Sequence, residues 1–143
     1  MRSVNTPLQQ AYFTLLNGQV NVGGVIAVYD TIPSSPTFPY IQIDDNTKLD
    51  FVTKSSFGEE ITQTLWIVDR YEGSFGSRLN VDSILDKVQR IIRGRPNPFD
   101  IPDFNVITNT LDIQVFTRKR TETHTYLQHE VRFRHLIQHL NYS

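Results

Sequence analysis

The 143-residue sequence has no cysteine, one methionine and one tryptophan. Without cysteine there is no disulfide framework, no thiolate-bound zinc and no thiol nucleophile, so packing and hydrogen bonds alone must hold the fold. An excess of either charge is missing too: Lys plus Arg number 14 and Asp plus Glu 15, a formal net charge of −1. That balance excludes the strongly basic chemistry of a protein whose main work is coating nucleic acid, while leaving room for a local basic patch. No apolar run approaches the ~20 residues that span a bilayer, so no membrane partner is expected. No apolar signal segment follows Met1, and the chain is expected to be cytoplasmic when made. Seven glycines and seven prolines are scattered along the length, which excludes collagen-like and low-complexity disorder. What is present is an ordinary globular composition, 38% hydrophobic and 20% charged, expected to form one domain over residues 1–143 with a sizeable core.

The apolar pattern divides the chain into helices and strands. Thr6 can cap a helix with Pro7 at its first position, where the missing amide costs nothing. Leu8, Ala11, Tyr12, Leu15 and Leu16 form one stripe at helical spacing, and Gly18 is the expected left-handed stop. Residues 25–29 read as a short buried strand, 31–39 with its three prolines as extended chain, and 39–44 as a second strand. Periodicity vanishes over 45–58, predicting a long loop or ragged hairpin. Residues 60–69 read as a third strand, apolar on both faces at its end. Val81, Ile84, Leu85, Val88, Ile91 and Ile92 mark a second helix over 77–93, stopped by Gly94 and the prolines beyond.

The last third predicts two long strands. Over 105–117, Leu111, Ile113 and Val115 are expected on one face and Val106 and Phe116 on the other. Over 126–137, Leu127, Val131, Phe133 and Ile137 oppose Gln128, Glu130, Arg132 and Arg134. The charged stretch 118–125 is a suitable hairpin tip. The order predicts an α+β domain: a mostly antiparallel β-sheet with two amphipathic helices packed on one face and a long C-terminal β-hairpin. Trp66, Tyr71, Val81, Leu85 and Val88 are expected between sheet and helix.

Residue types that do chemistry are present but do not converge. His124, His129, His135 and His139 lack a further ligand at metal-site spacing, and the plainer reading is polar positions near a sheet edge and chain end. Glu59 and Glu60, adjacent on a strand, face opposite ways, while Asp44-Asp45 and Asp100 with Asp103 suit solvated turns. Gly73-Ser74-Phe75-Gly76 lacks the lysine and spacing of a phosphate-binding loop. No catalytic residue, metal ligand or cofactor is therefore expected. Arg118, Lys119 and Arg120, with Arg132 and Arg134, form one basic cluster able to contact phosphate or to pair with Glu122 and Glu130.

Several stretches occur together in order: Leu15-Leu16-Asn17-Gly18, then Val28-Tyr29-Asp30-Thr31-Ile32-Pro33, then Phe38-Pro39-Tyr40-Ile41-Gln42-Ile43. Gly58-Glu59-Glu60-Ile61 opens the strand that ends at Tyr71, and His129-Glu130-Val131-Arg132-Phe133-Arg134 closes the set. Over nearly the whole chain this resembles the tail-completion, or tail-terminator, proteins of long-tailed bacteriophages and related prophages. Departures are residues 45–57, the proline-bounded segment 95–102 and the stretch after Ile137.

The resemblance implies a structural virion protein rather than an enzyme. Its expected form is a closed ring, typically a hexamer, that caps the tail tube and joins the tail to the head connector. Its expected partners are further copies of itself, the tail tube protein and the head-tail connector or stopper protein, with DNA passing transiently through the central channel. A near-neutral lining would suit such passage. The alternatives are a head-side neck or stopper protein of the same joint and a small nucleic-acid-binding module. Contact residues are expected in the two polar segments: Asp45, Lys48, Asp50, Phe51, Lys54 and Phe57 in one, Arg118, Lys119, Arg120 and Glu122 in the other. Arg132 and Arg134 are the candidates for facing DNA.

Overall fold

The computed structural model describes residues 5–52 and 57–140, the side chains of 49–52 and 57 excepted. Helices α1 (Asn5–Leu16) and α2 (Leu79–Ile92) pack on one face of a five-stranded sheet. Its strands are β1 (Ala27–Tyr29), β2 (Tyr40–Val52), β3 (Phe57–Glu72), β4 (Phe104–Arg120) and β5 (His124–His139), in the order β1-β2-β3-β5-β4. β1 runs parallel to β2, and the other pairs are antiparallel. The expected α+β architecture is therefore the observed one, including the long C-terminal hairpin.

The helices follow from their stripes. Leu8, Tyr12 and Leu16 of α1 are buried, and Gly18 stops the helix in the left-handed conformation with φ of 76°. Val81, Ile84, Leu85, Val88 and Ile92 of α2 are buried against β3 and β5. Gly94 follows the end of α2 in a tight turn, where a Cβ would lie 3.0 Å from the Arg90 carbonyl oxygen. Between the layers Ile41, Ile43, Ile61, Leu65, Ile67, Leu127, Val131, Phe133 and Ile137 complete the core.

Four expectations are corrected. Over 45–52 and 57–58 the long-loop reading gives way to the hairpin one: β2 and β3 stay paired out to Val52 and Phe57. A bulge between Ile43 and Asn46 hides the alternation, because one extra residue shifts the period-two pattern. Gln63, fully buried, fills that bulge, its amide donating to the carbonyls of Asp44 at 2.5 Å and Thr64 at 3.0 Å. A second bulge, between Leu111 and Ile113, turns Leu111 to the core side with Val106 and Phe116 and leaves Ile113 and Val115 on the outer face. Trp66 pairs across the sheet with Gln42 and Glu130, so it too lies on the outer face, half-buried, away from α2. The tip of the C-terminal hairpin spans only 121–123, because Thr121 and His124 close it through Thr121 N–H to His124 O at 2.8 Å and His124 N–H to Thr121 Oγ1 at 3.0 Å.

Phe133, fully buried between the layers, is the residue whose truncation should hurt most. Phe133→Ala is expected to cost about 3–5 kcal/mol of stability, whereas Val115→Ala on the exposed side of β4 should stay within about 0.5 kcal/mol. Urea melts followed through Trp66 fluorescence compare the two directly.

Candidate interaction surface

Every second residue of β5 from Thr125 to His139 is buried, and three of them are histidines. A buried imidazole must find partners, and each finds them on a different element. His135 Nδ1 faces only acceptors, Asn109 Oδ1 at 2.8 Å and the Thr108 carbonyl at 3.3 Å, so it carries the ring proton. Its Nε2 then accepts from the Tyr12 hydroxyl of α1. Asn109 Nδ2 continues to Asn97 Oδ1 at 3.0 Å, and Asn97 Nδ2 to the Val106 carbonyl at 2.6 Å. One hydrogen-bonded chain thus ties α1, β5, β4 and the proline-bounded loop together. Burial lowers the His135 pKa to about 4 and pushes the Tyr12 phenol well above its usual value. Farther along β5, His129 Nε2 meets Asp82 Oδ1 of α2 at 2.7 Å, and His139 Nε2 meets Glu59 Oε1 of β3 at 2.8 Å. Among the described residues no three His, Asp or Glu side chains converge as a metal cage.

The outer face of the sheet is divided between aromatic rings and ion pairs. Phe38 packs on Tyr40 and Tyr126 with ring centroids 5.2 and 6.2 Å apart, and the Arg70 guanidinium stacks 4.4 Å over the Phe38 ring. Trp66 Nε1–H donates to Asp44 Oδ2 at 2.7 Å. Beyond them Arg134 sits between Glu60 at 3.1 Å and Asp112 at 2.7 Å, and Arg132 lies 3.8 Å from Glu130. Both arginines named as candidate DNA contacts thus stand among carboxylates that offset their charge.

The sequence-nominated contact residues fall at opposite ends of this sheet. Lys48, Asp50, Phe51 and Phe57 belong to the β2–β3 hairpin, whose end lies beside the last turns of β5 at Gln138. The side chains of Asp50, Phe51 and Phe57, and Lys54 entirely, fall outside the described residues. Lys48 Nζ lies 3.9 Å from Glu59. Asp45 sits exposed in the β2 bulge. Arg118, Lys119 and Arg120 end β4 at the other end, with Glu122 exposed in the tip. Of these, Arg118 is partly engaged, donating to the Gly76 carbonyl at 3.3 Å.

Two further features bear on what the molecule can bind. A cleft of about 710 Å³ between the end of α2 and β4 is lined by Arg90, Arg93, Arg95, Asn97 and Asn109; the spacing of the three arginines around Gly94 was the available signal. The second is the sheet's two open edges. β4 has a strand partner only on its β5 side, and β2 beyond Gln42 has one only on its β3 side among the described residues. Near the β4 edge Ile107, Ile113 and Val115 are exposed, Val115 by 47%. No described helix is long and apolar enough to cross a membrane.

Comparison with known proteins adds three findings. The profile of the family "Tail completion protein gp17" matches residues 10–138. No curated protein matches the chain. Among the solved structures similar to it is a chain of the virion of a native gene transfer agent particle, 14% identical, covering 96% of this chain and 99% of that one with a TM-score of 0.74. At that identity the likeness is one of fold.

The buried His135 gives stability a defined pH dependence. Its folded pKa, about 4, lies below the ordinary 6.5, so the unfolded chain binds the proton first. Stability is full above about pH 6.5, falls as pH drops toward 4, and levels below that, a loss of roughly 3 kcal/mol from this group. His135→Gln removes the titration, and denaturation series at pH 7, 5.5 and 4 should show the variant losing correspondingly less than the wild type. Parallel curves for the two proteins would contradict this role.

Proposed function

The chain belongs to the tail completion protein gp17 family, structural proteins of the phage tail, and from that premise we propose that it closes the tail tube as a ring. In this reading a single domain, the whole of residues 1–143, assembles as a hexamer around a central channel. One face meets the last ring of tail tube protein and the other meets the head connector or stopper, with DNA passing through the middle. The observation that carries the reading is the extent of the family match, residues 10–138, which takes in the second half of α1, all of α2 and both hairpins.

The physical problem such a protein solves supports it. A polymerising tube leaves an unsatisfied interface on its last ring, so the molecule that ends it must match that surface on one side and present a different one on the other. This chain has hairpin ends at both extremities of one sheet, which is the geometry a two-sided joint needs. Ring closure needs a heterologous contact whose rotation closes. The mixed charges of the outer face, where Arg134 is held by Glu60 and Asp112, would not retain passing DNA as a basic lining would. Asp45, Lys48, Asp50, Phe51, Lys54 and Phe57 at one end, and Arg118, Lys119, Arg120 and Glu122 at the other, are the proposed contacts.

Native mass spectrometry of the wild-type chain, alone and with purified tail tubes, tests this. A six-copy species, and tubes that stop growing once it is added, are the expected results. A chain that stays monomeric at every concentration and leaves tube ends uncapped would sink the reading, and capture of portal-complex protein in preference to tube protein would move it to the head side of the joint.

A further inference from the structure

Resting on the ring reading, we propose that neighbouring copies join sheet to sheet: the open edge of β4 over 113–120 pairs antiparallel with the open edge of β2 over 46–52 of the next copy. Both stretches are regular. Beyond its last bulge β4 keeps unbroken register with β5 from Ile113 to Arg120, and β2 keeps it with β3 from Asn46 to Val52. Two runs of similar length thus each carry a row of amide and carbonyl groups with no strand partner among the described residues, on opposite borders of the same sheet. Exposed edges of this kind are templates for strand addition and are normally blunted.

The strand directions already fit. β2 is antiparallel to β3, β3 to β5, and β5 to β4, so β4 and β2 of one molecule run oppositely. Within one molecule β4 from Ile113 onward is level with the part of β2 before Asn46, through the pairs Val115 with Glu130, Glu130 with Trp66 and Trp66 with Gln42. Pairing it with the 46–52 stretch of the next copy therefore steps that copy several residues along the strands. Such a step closes into a ring where the strands lie oblique to the ring axis, tilt and stagger being linked as in a closed barrel, and it brings β4 antiparallel to β2 without turning the subunit over. The contact is heterologous and uses the regular stretch on both borders of every copy. A two-fold β4–β4 contact would use one edge, leave β2 bare and stop at two copies.

Charge selects the same partner. Antiparallel overlap puts the end of β4 beside the start of the free β2 stretch, bringing Lys119 and Arg120 next to Asp44 and Asp45. Lys119 pairs in register with Tyr126, and Asp44 accepts from Trp66, which places both on the sheet's outer face. Lys119, Arg120 and Asp45 are exposed, and none has an oppositely charged side chain within ion-pair distance among the described residues. Ile113 and Val115, 37% and 47% exposed, supply apolar surface at the same border.

The cysteine-free sequence makes a clean test possible. Full-length double variants Lys119→Cys with Asp45→Cys, Thr117→Cys with Thr47→Cys, and Lys119→Cys with Thr47→Cys sample two neighbouring registers at exposed positions. Within one molecule these pairs are separated by three interstrand steps, roughly 14 Å, beyond the ~7 Å limit for a disulfide, so any bond formed joins two copies. Each variant is oxidised under the conditions in which the wild type forms its ring, and Val115→Cys alone serves as the control for β4–β4 pairing. The expected result is a ladder of linked species ending at the closed ring for at least one double variant, with none for either cysteine alone. Rings of normal mass with no cross-link in any double variant would overturn the edge pairing and leave the ring reading intact. Linked dimers of Val115→Cys would overturn it too. A wild type that never forms a ring, alone or on tubes, would overturn both.

Discussion

The buried face of β5 sets the terms for the rest of the molecule. Between Thr125 and His139 its inward positions alternate apolar side chains with three imidazoles, and a core that encloses imidazoles must also enclose their partners. Tyr12 comes from α1, Asp82 from α2, Glu59 from β3 and Asn109 from β4, one anchor from nearly every element that touches the strand. Apolar packing would accept many helix positions a few ångströms apart. Directional hydrogen bonds to three fixed rings accept far fewer, so the histidines specify how the helices sit while Phe133, Val131 and Leu127 supply the burial. His129 shows the cost of the arrangement: its Nδ1 is buried with no hydrogen-bond partner among the described residues.

Much of this was legible in sequence, and the failures have a common cause. Both helices, the order of elements along the chain and the alternation of β5 follow from local periodicity, which survives wherever an element buries one face. Periodicity breaks at a bulge, and the two stretches that local pattern left open or misassigned both lie at bulges: the β2 side of the 45–58 segment, where Asp44 and Asp45 interrupt β2, and Leu111 to Val115, where the pattern changes face partway along β4. Trp66 is expected between sheet and helix, but the alternation that buries Leu65 and Ile67 sends it outward. What supports it there is Asp44, a residue 22 positions away whose role depends on the bulge.

The buried histidines were unreadable for another reason. Their spacing announced that they share a face, but not that the face is buried with donors and acceptors waiting. Tyr12 and His135 are 123 positions apart, and no local signal connects them. The contact segments fared differently: sequence identified both polar stretches, but the structure assigns them to opposite ends of one sheet, so they cannot form a single patch on one molecule. Two separated surfaces on one subunit suit a part that touches different neighbours on different sides.

That separation bears on why the sheet remains open. β4 is long, carries exposed Ile107, Ile113 and Val115, and has few of the devices that ordinarily protect an edge. Its bulges lie between Val106 and Ile113, where they would disturb any added strand. The stretch from Ile113 onward is left flat and regular, with its charges gathered at the final three residues. For a monomer that placement is a hazard, since the unprotected run is the one best able to pair. For a subunit that must close with its neighbours it is an advantage: the bulged half resists slipped pairings, and the basic end restricts the regular half to an acidic counterpart. The bulge in β2 then has a second use, because it presents Asp45 at the point where the free run of that edge begins. Irregularity that looks like noise in the sequence marks where pairing is allowed to start.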